Sequence, residues 1–303
     1  MFNPVYIRQV ELLLKVLPLI QKHVCFALKG GTAINLFVQN MPRLSVDIDL
    51  AYLPLVPRDQ ALLGISQTLE LLAGEIEEEF PKTSVTRLPV AGVNGRLVVN
   101  TKDALIKIEP NFVFRGALFP AETRTLCDVA QAEFEQFVES RILSVADLYG
   151  GKLCAALDRQ HPRDLFDVFL MFKRFGLTDE IRMAFTVYLA GHPRPMAEML
   201  NPNEQPLEHL YQSQFAGMAR DAVPFDILIE TRRRLIEELN AGLTQNERLF
   251  LFSMKMGEPE WNRLPIANLE SLPALQWKLK NIRSMDPFRH QRAVEKLKQV
   301  LNM

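Results

Sequence analysis

Cysteine is scarce in this chain: Cys25, Cys127 and Cys154 are the only three in 303 residues. They lie far apart, lack metal-ligand spacing and sit among apolar residues. That argues against a disulfide framework or a zinc site and for buried thiols in a reducing compartment. No apolar run reaches the length of a membrane span. The N-terminus lacks the charged, then apolar, then small pattern of a secretory signal. A cytoplasmic protein with no membrane partner is therefore expected. Net charge is also nearly absent: 35 basic against 36 acidic residues leave −1. Any nucleic-acid site must then be a local basic patch and not a property of the whole chain. Internal repeats and low-complexity segments are missing too. What remains is a chain with 48% hydrophobic residues, ordinary for a folded protein, and long enough for two domains or one domain with a large helical addition.

Against that background one stretch carries chemistry. Lys29-Gly30-Gly31-Thr32-Ala33 is followed by Arg43-Leu44-Ser45-Val46-Asp47-Ile48-Asp49-Leu50. It reads as a glycine turn able to hold phosphate, then two carboxylates two residues apart. Side chains alternate faces along a strand. Asp47 and Asp49 are expected to point the same way, with Val46, Ile48 and Leu50 turned to the core. Two carboxylates on one face repel each other, and a divalent cation relieves the repulsion. Mg²⁺ with a nucleoside triphosphate suits such a pair. A lone Asp-x-Asp is more often an exposed acidic strand; the glycines upstream and the apolar residues between favour the metal reading here.

The surrounding pattern alternates strand and helix. Residues 5–20 have helical apolar spacing, with Pro18 near the end. A short strand over 24–28 leads into the glycines, and a helix over 32–38 starts just after them, its first N–H groups open to phosphate. The aspartates fall on a strand predicted over 45–52. An amphipathic helix spans 58–80. Three strands follow, over 84–90, 95–101 and 104–114. In the last, Ile106 and Ile108 face one side and Lys107 and Glu109 the other. Glu109 is thus a candidate third carboxylate, or else part of a cross-strand ion pair on a half-exposed strand. Residues 117–135 carry no clear pattern. From about residue 140 no strand pair is expected, only helices broken by loops at 192–206 and 257–273. This divides the chain into parts over 1–140 and 141–303.

The second part opens with Ser144 and Asp147, spaced as in a capping box, and with Gly150-Gly151, which weakens the helix locally. Lys152-Leu153-Cys154-Ala155-Ala156-Leu157-Asp158-Arg159 places Lys152 and Arg159 on one helix face. Two cations so placed suit a triphosphate. His161-Pro162 breaks the helix. Asp164 and Asp167 then lie side by side on the next one, where they equally suit a salt-bridged helical hairpin. The end of the chain holds Lys278, Lys280, Arg283, Arg289, Arg292, Lys296 and Lys298 against few acids. This is a solvated basic face or a contact for RNA phosphate.

Together these pieces resemble the DNA polymerase β-like nucleotidyltransferase superfamily, marked by Gly-Gly or Gly-Ser before an Asp-x-Asp and a third carboxylate on a later strand. Gly30-Gly31, Asp47, Asp49 and Glu109 match that order. The Arg43-x-Ser45-x-Asp47-Ile48-Asp49-Leu50 form resembles the AbiEii/AbiGii-type nucleotidyltransferase toxins, which include the MenT toxins. So does the later motif Lys152-Leu153-x-Ala155 with Arg159, Arg163, Asp164 and Asp167. The match runs over roughly residues 25 to 170 in three separated motifs.

The resemblance implies an α/β (α+β) fold. A polymerase β-like core over 1–140 would have a mixed sheet flanked by helices, and a mainly helical C-terminal domain over 141–303 would carry the Lys152, Arg159 and Asp164 motif. It implies the toxin of a toxin–antitoxin or abortive-infection pair, with an antitoxin encoded nearby. The activity would transfer a nucleotide from an NTP to an RNA 3′ hydroxyl, tRNA being the expected acceptor, and block translation. Asp47, Asp49 and Glu109 would hold Mg²⁺ (or Mn²⁺). Gly30, Gly31, Thr32, Arg43, Ser45, Lys152 and Arg159 would bind the NTP phosphates. Asp47, Asp49, Glu109, Lys152 and Asp164 would be catalytic, with Glu109 or Asp164 as the base, or Asp164 orienting Lys152. Transfer of nucleotide or phosphate to a protein side chain, and a non-catalytic nucleotide sensor, are the competing functions.

Overall fold

The computed structural model describes residues 2–303 and divides into two compact units. The first comprises the residues up to Ser144 together with Ala216–Ala222; the second comprises Val145–Phe215 and Val223–Met303.

The first unit begins with α1 (Pro4–Lys22). Asn3 caps it by accepting from the Val5 N–H at 3.0 Å, and Pro4 stands where a missing N–H costs nothing. Pro18 sits inside this helix, in its last turns. Then come β1 (Phe26–Lys29), a helical turn α2 (Gly30–Ala33) that runs on as a π-helical turn over Ile34–Val38, β2 (Ile48–Tyr52) and α3 (Arg58–Glu79). β3 (Ser84–Val90), β4 (Val93–Asn100) and β5 (Leu105–Asn111) follow, then β6 (Glu122–Thr125), α4 (Asp128–Phe134) and β7 (Glu139–Ile142). The strands form one sheet in the order β3-β4-β5-β2-β1-β7-β6. β2 runs parallel to β5, and β1 parallel to β7; the other neighbours are antiparallel. One face is apolar: Leu28, Ile48, Leu50, Leu97, Val99, Ile106 and Ile108 are fully buried. α1 and α3 pack on the sheet and on each other.

Two details differ from the sequence expectation. The aspartate strand starts at Ile48, so Asp47 lies just ahead of the ladder, and Val46 is half-buried while Leu44 takes a core position. β6 and β7 were not anticipated. Both are four residues long, and β6 reads Glu-Thr-Arg-Thr, an edge strand with no apolar alternation to reveal it.

The second unit is helical: α5 (Val145–Arg159), α6 (Pro162–Arg174), α7 (Asp179–Gly191), α8 (Met196–Leu200), α9 (Glu208–Gln214), α10 (Phe225–Gly242), α11 (Gln245–Met256), α12 (Pro273–Arg283) and α13 (Pro287–Val300). α5 and α7 cross closely at Gly150, where an added Cβ would lie 2.7 Å from Ala184 Cβ and 2.8 Å from the backbone of Ala184 and Phe185. The glycine that weakens α5 locally is what lets the two helices meet. Asp147 accepts from the Tyr188 hydroxyl at 3.0 Å in the same buried layer. Burial, then the Asp147 charge, push that phenol well above its ordinary pKa, so it stays a neutral donor.

Two basic residues of the C-terminal run have structural work. Lys278 Nζ donates to the carbonyls of His192 at 2.6 Å, Arg194 at 3.0 Å and Pro193 at 3.3 Å, closing the end of α7. Burial pushes this ammonium down to about 8, which still leaves it protonated at neutral pH. Arg283 donates to the carbonyl of Gly257, the left-handed residue that ends α11, at 3.0 and 2.8 Å. No helix among the described residues is long and apolar enough to cross a membrane.

Adjacent glycines offer a test. Gly150→Ala should destabilise by about 1–3 kcal/mol through overpacking. Gly151→Ala, whose Cβ would meet only Tyr188 Cε1 at 3.8 Å, should leave the melting temperature unchanged or raise it. Thermal melts followed by circular dichroism compare the two; equal losses would refute the close crossing.

Candidate active site

The glycine turn and the aspartates are stitched together side chain by side chain. Gly30 has φ +71°, a conformation that suits glycine, and a Cβ there would collide with the Asp49 carboxylate. A Cβ on Gly31 would lie 2.7 Å from Ser45 Oγ and 2.9 Å from Arg43 Nη2. Thr32 Oγ1 donates to the Asp47 carbonyl at 2.6 Å, and Asn35 Nδ2 donates to the Gly31 carbonyl at 2.9 Å. Gly30, Gly31, Thr32, Arg43, Ser45, Asp47 and Asp49 therefore form one cluster. Helix α2 starts at Gly30, with Lys29 at its N-cap making no side-chain cap bond, and Asp47 and Asp49 are half-buried beside it.

Register extends the cluster across the sheet. Lys29 of β1 pairs with Asp49 of β2, and Asp49 pairs with Glu109 of β5. Residues paired this way share a face. Arg96 of β4 completes the row: its Nε lies 2.6 Å from Glu109 Oε1. Two adjacent carboxylates are thus flanked by two cations, on the face opposite the apolar one. Among the described residues no group of three or more His, Cys, Asp and Glu is arranged around a metal position. Glu109 is turned to Arg96. The Asp47 and Asp49 pair is a hard-oxygen set of the size Mg²⁺ uses when substrate phosphates and water supply its other ligands, so the residues present fit a nucleotide-borne Mg²⁺.

A strap from late in the chain holds the loop behind these groups. Ala219 bridges to Arg43, Leu44 N donates to the Met218 carbonyl at 3.2 Å, and Arg220 N donates to the Pro42 carbonyl at 2.8 Å. Arg220 Nη2 donates to the Met41 carbonyl at 2.8 Å. Nothing in the sequence signals that residues 216–222 belong with residue 43. Arg96 was also missed, although its place in the alternation of β4, one step from the buried Leu97, is the signal that could have found it.

In the second unit, α5 and α6 bring the other motif together. His161 caps α6 by accepting from the Arg163 N–H through Nδ1 at 3.1 Å, with Pro162 opening the helix. Lys152 Nζ lies 2.9 Å from both Asp164 Oδ1 and Asp167 Oδ2. Arg159 Nη2 lies 2.8 Å from Asp164 Oδ2. The Lys152, Asp164 and Asp167 side chains are 7, 4 and 0% exposed, whereas Arg159 is 61% exposed. Lys152 is enclosed by carboxylates; Arg159 is the cation of the pair that faces solvent. Burial raises the Asp164 pKa, but Lys152 and Arg159 outweigh it and hold the carboxyl below its ordinary range.

A family model for the nucleotidyl transferase AbiEii toxin of type IV toxin–antitoxin systems matches residues 11–281. The chain belongs to this family. It is accordingly a nucleotidyltransferase with an NTP substrate, and the toxin of a pair that includes an antitoxin. The fold is similar to that of the MenT4 nucleotidyltransferase toxin from Mycobacterium tuberculosis, with TM-score 0.60, 18% identity, and cover of 98% of this chain and 92% of that one. A terminal uridylyl transferase 4 from Trypanosoma brucei solved with bound dUTP also aligns, at TM-score 0.33 and 13% identity, covering 97% of this chain and 92% of that one. No curated protein sequence matches. Both motifs of this AbiEii chain lie inside the matched residues.

The buried triad makes a prediction about stability. Lys152→Met removes the buried cation that Asp164 and Asp167 share and should cost about 3–5 kcal/mol. Adding Asp164→Leu and Asp167→Leu should restore much of it, as read by urea unfolding; a Lys152→Met protein as stable as the parent would remove the triad. Because the folded Asp164 pKa is lowered, its contribution is complete above the ordinary carboxylate range and fades as pH falls through the lowered value. Asp164→Asn should flatten that part of the acid-unfolding curve.

Proposed function

We propose that this AbiEii toxin is a Mg²⁺-dependent enzyme that moves a nucleoside monophosphate from an NTP to the 3′ hydroxyl of an RNA, tRNA first among them, and so stops translation in the cytoplasm. The observation that supports this most directly is the cluster in which the glycine turn leaves room for the Asp49 carboxylate and Thr32 fixes Asp47.

In this reading the backbone N–H groups at Gly30, Gly31 and Thr32 bind phosphate oxygens, with Ser45 and Arg43 behind them. Asp47 and Asp49 would hold Mg²⁺ (or Mn²⁺), which would neutralise triphosphate charge. The acceptor hydroxyl oxygen bonds to the α-phosphorus as the bond to the β-phosphate oxygen breaks, and pyrophosphate leaves. Arg159, the exposed cation, and Lys152 are assigned to charge on that pyrophosphate. The proton of the attacking hydroxyl goes to Glu109 or to water. Asp164 is a poor base, since a carboxyl held below its ordinary pKa accepts protons weakly; its role is to orient Lys152. Glu109, as the cross-strand neighbour of Asp49, is the candidate third metal carboxylate once it leaves Arg96.

The test incubates the protein with Mg²⁺, unfractionated tRNA and each α-labelled NTP in turn, beside Asp49→Ala and Gly30→Ala. Label should reach RNA with the parent only. Asp49→Ala should lose at least about a thousandfold in transfer, roughly 4 kcal/mol, while keeping its melting temperature, because removing one of two like charges does not unfold a strand. Gly30→Ala should lose transfer too, by displacing Asp49. Near-parental transfer by Asp49→Ala would sink the assignment of the pair. Label on protein, or transfer from the γ-position only, would replace the RNA-end reading.

A further inference from the structure

Within the second unit, α12 and the start of α13 each expose an aromatic ring that neither folding nor the site above accounts for. Trp277 is 51% exposed and Phe288 67% exposed. The chain's other tryptophan, Trp261, packs on Phe250 with ring centroids 6.2 Å apart. Trp277 and Phe288 instead turn their rings to solvent, and each has a cation beside it. Lys280 Nζ is 5.7 Å from the Trp277 centroid, and Arg292 Cζ is 5.9 Å from the Phe288 centroid.

The charges nearby separate into committed and available groups. Lys278 and Arg283 are engaged with backbone carbonyls. Asp286, the only acid between residues 276 and 292, accepts from the Arg289 N–H at 3.0 Å as the cap of α13. Lys280, Arg289 and Arg292 stay exposed. Met285 is the only other large apolar side chain exposed there, among exposed polar residues Gln276, Asn281 and Ser284. A protein partner's apolar core would find little to pack against. A polyanion with flat apolar rings finds a complement for each of its parts, since bases stack on aromatic faces and phosphates pair with flanking cations.

We propose that α12 and the start of α13 bind a single-stranded segment of the RNA acceptor, with bases stacking on Trp277 and Phe288 and phosphates meeting Lys280, Arg289 and Arg292. The proposal rests on the RNA reading above and deepens it: these side chains would grip the acceptor and are not among the residues assigned to the NTP. Of the basic run seen in the sequence, Lys278 and Arg283 hold backbone carbonyls, Lys296 lies 3.6 Å from Glu198, and Lys280, Arg289 and Arg292 are left to the exposed aromatics.

The experiment titrates the full chain with a short, labelled, single-stranded oligoribonucleotide of mixed sequence, and with the same strand annealed to its complement. Binding of the single strand should quench Trp277 emission and be tighter than binding of the duplex. Trp277→Ala and Phe288→Ala should each weaken it about tenfold, within the range for one stacked base, and Trp277→Phe should retain most of the affinity, which a merely destabilised fold would not. Lys280→Gln or Arg292→Gln should lower the slope of log affinity against log salt by roughly 0.7 per lost contact. Unchanged affinity in the Trp277→Ala, Phe288→Ala double variant overturns the proposal. So does unchanged affinity with lost neutralisation by the cognate antitoxin, which would make these helices a protein dock. If the parent labels RNA yet binds it indifferently to these substitutions, this RNA grip alone is refuted. If the parent labels protein and binds no RNA, the acceptor reading falls with it.

Discussion

Everything in the proposed chemistry depends on one close approach, the Asp49 carboxylate against Gly30, where any side chain would collide. It brings the first residue of a helix against a carboxylate at the start of a strand. Positive and negative ends are set side by side without touching through a long, mobile side chain. The Thr32 hydroxyl fixes the same approach from the other side by bonding to the Asp47 carbonyl, 15 residues later. A triphosphate needs both ends at once: donors for its oxygens, and carboxylates for the cation it carries.

The charged row Lys29, Asp49, Glu109 and Arg96 is the electrostatic counterpart of this contact. Two carboxylates in register on neighbouring strands repel each other, and cations on the outer strands offset that repulsion without a metal. The row occupies one face because the other is filled by Leu28, Ile48, Leu50, Leu97 and Ile108, and the strand period of two leaves no third choice. Fold stability and site charge are separated by the same alternation that builds the sheet.

The second motif obeys a different rule. Lys152, Asp164 and Asp167 are nearly dry, and an ion group so placed holds α5 against α6 only while all its members are present. Arg159 shares Asp164 but not the burial. The two cations read from sequence as equivalent thus differ in setting: Lys152 is buried among carboxylates, and Arg159 reaches solvent. A similar division runs through the C-terminal basic residues, where Lys278 and Arg283 close helix ends while Lys280, Arg289 and Arg292 stay in solvent.

By itself the sequence determined the chemistry that local spacing encodes. The Gly-Gly before Asp-x-Asp, the alternation around Ile106, Ile108 and Glu109, the helix over 58–80 and the seven-residue separation of Lys152 and Arg159 are all properties of a few adjacent turns or pleats. They sufficed for the fold class and the nucleotidyltransferase family. Only the tertiary structure decided that Asp47 stands ahead of the strand, that Arg96 takes Glu109, that carboxylates enclose Lys152, and that residues 216–222 pair with Arg43. Short polar strands such as β6 went unread because four residues without apolar alternation leave no periodic trace. The partners of a charge, and the loop that braces it, are set by which distant segments meet in space. Periodicity carries no record of those meetings.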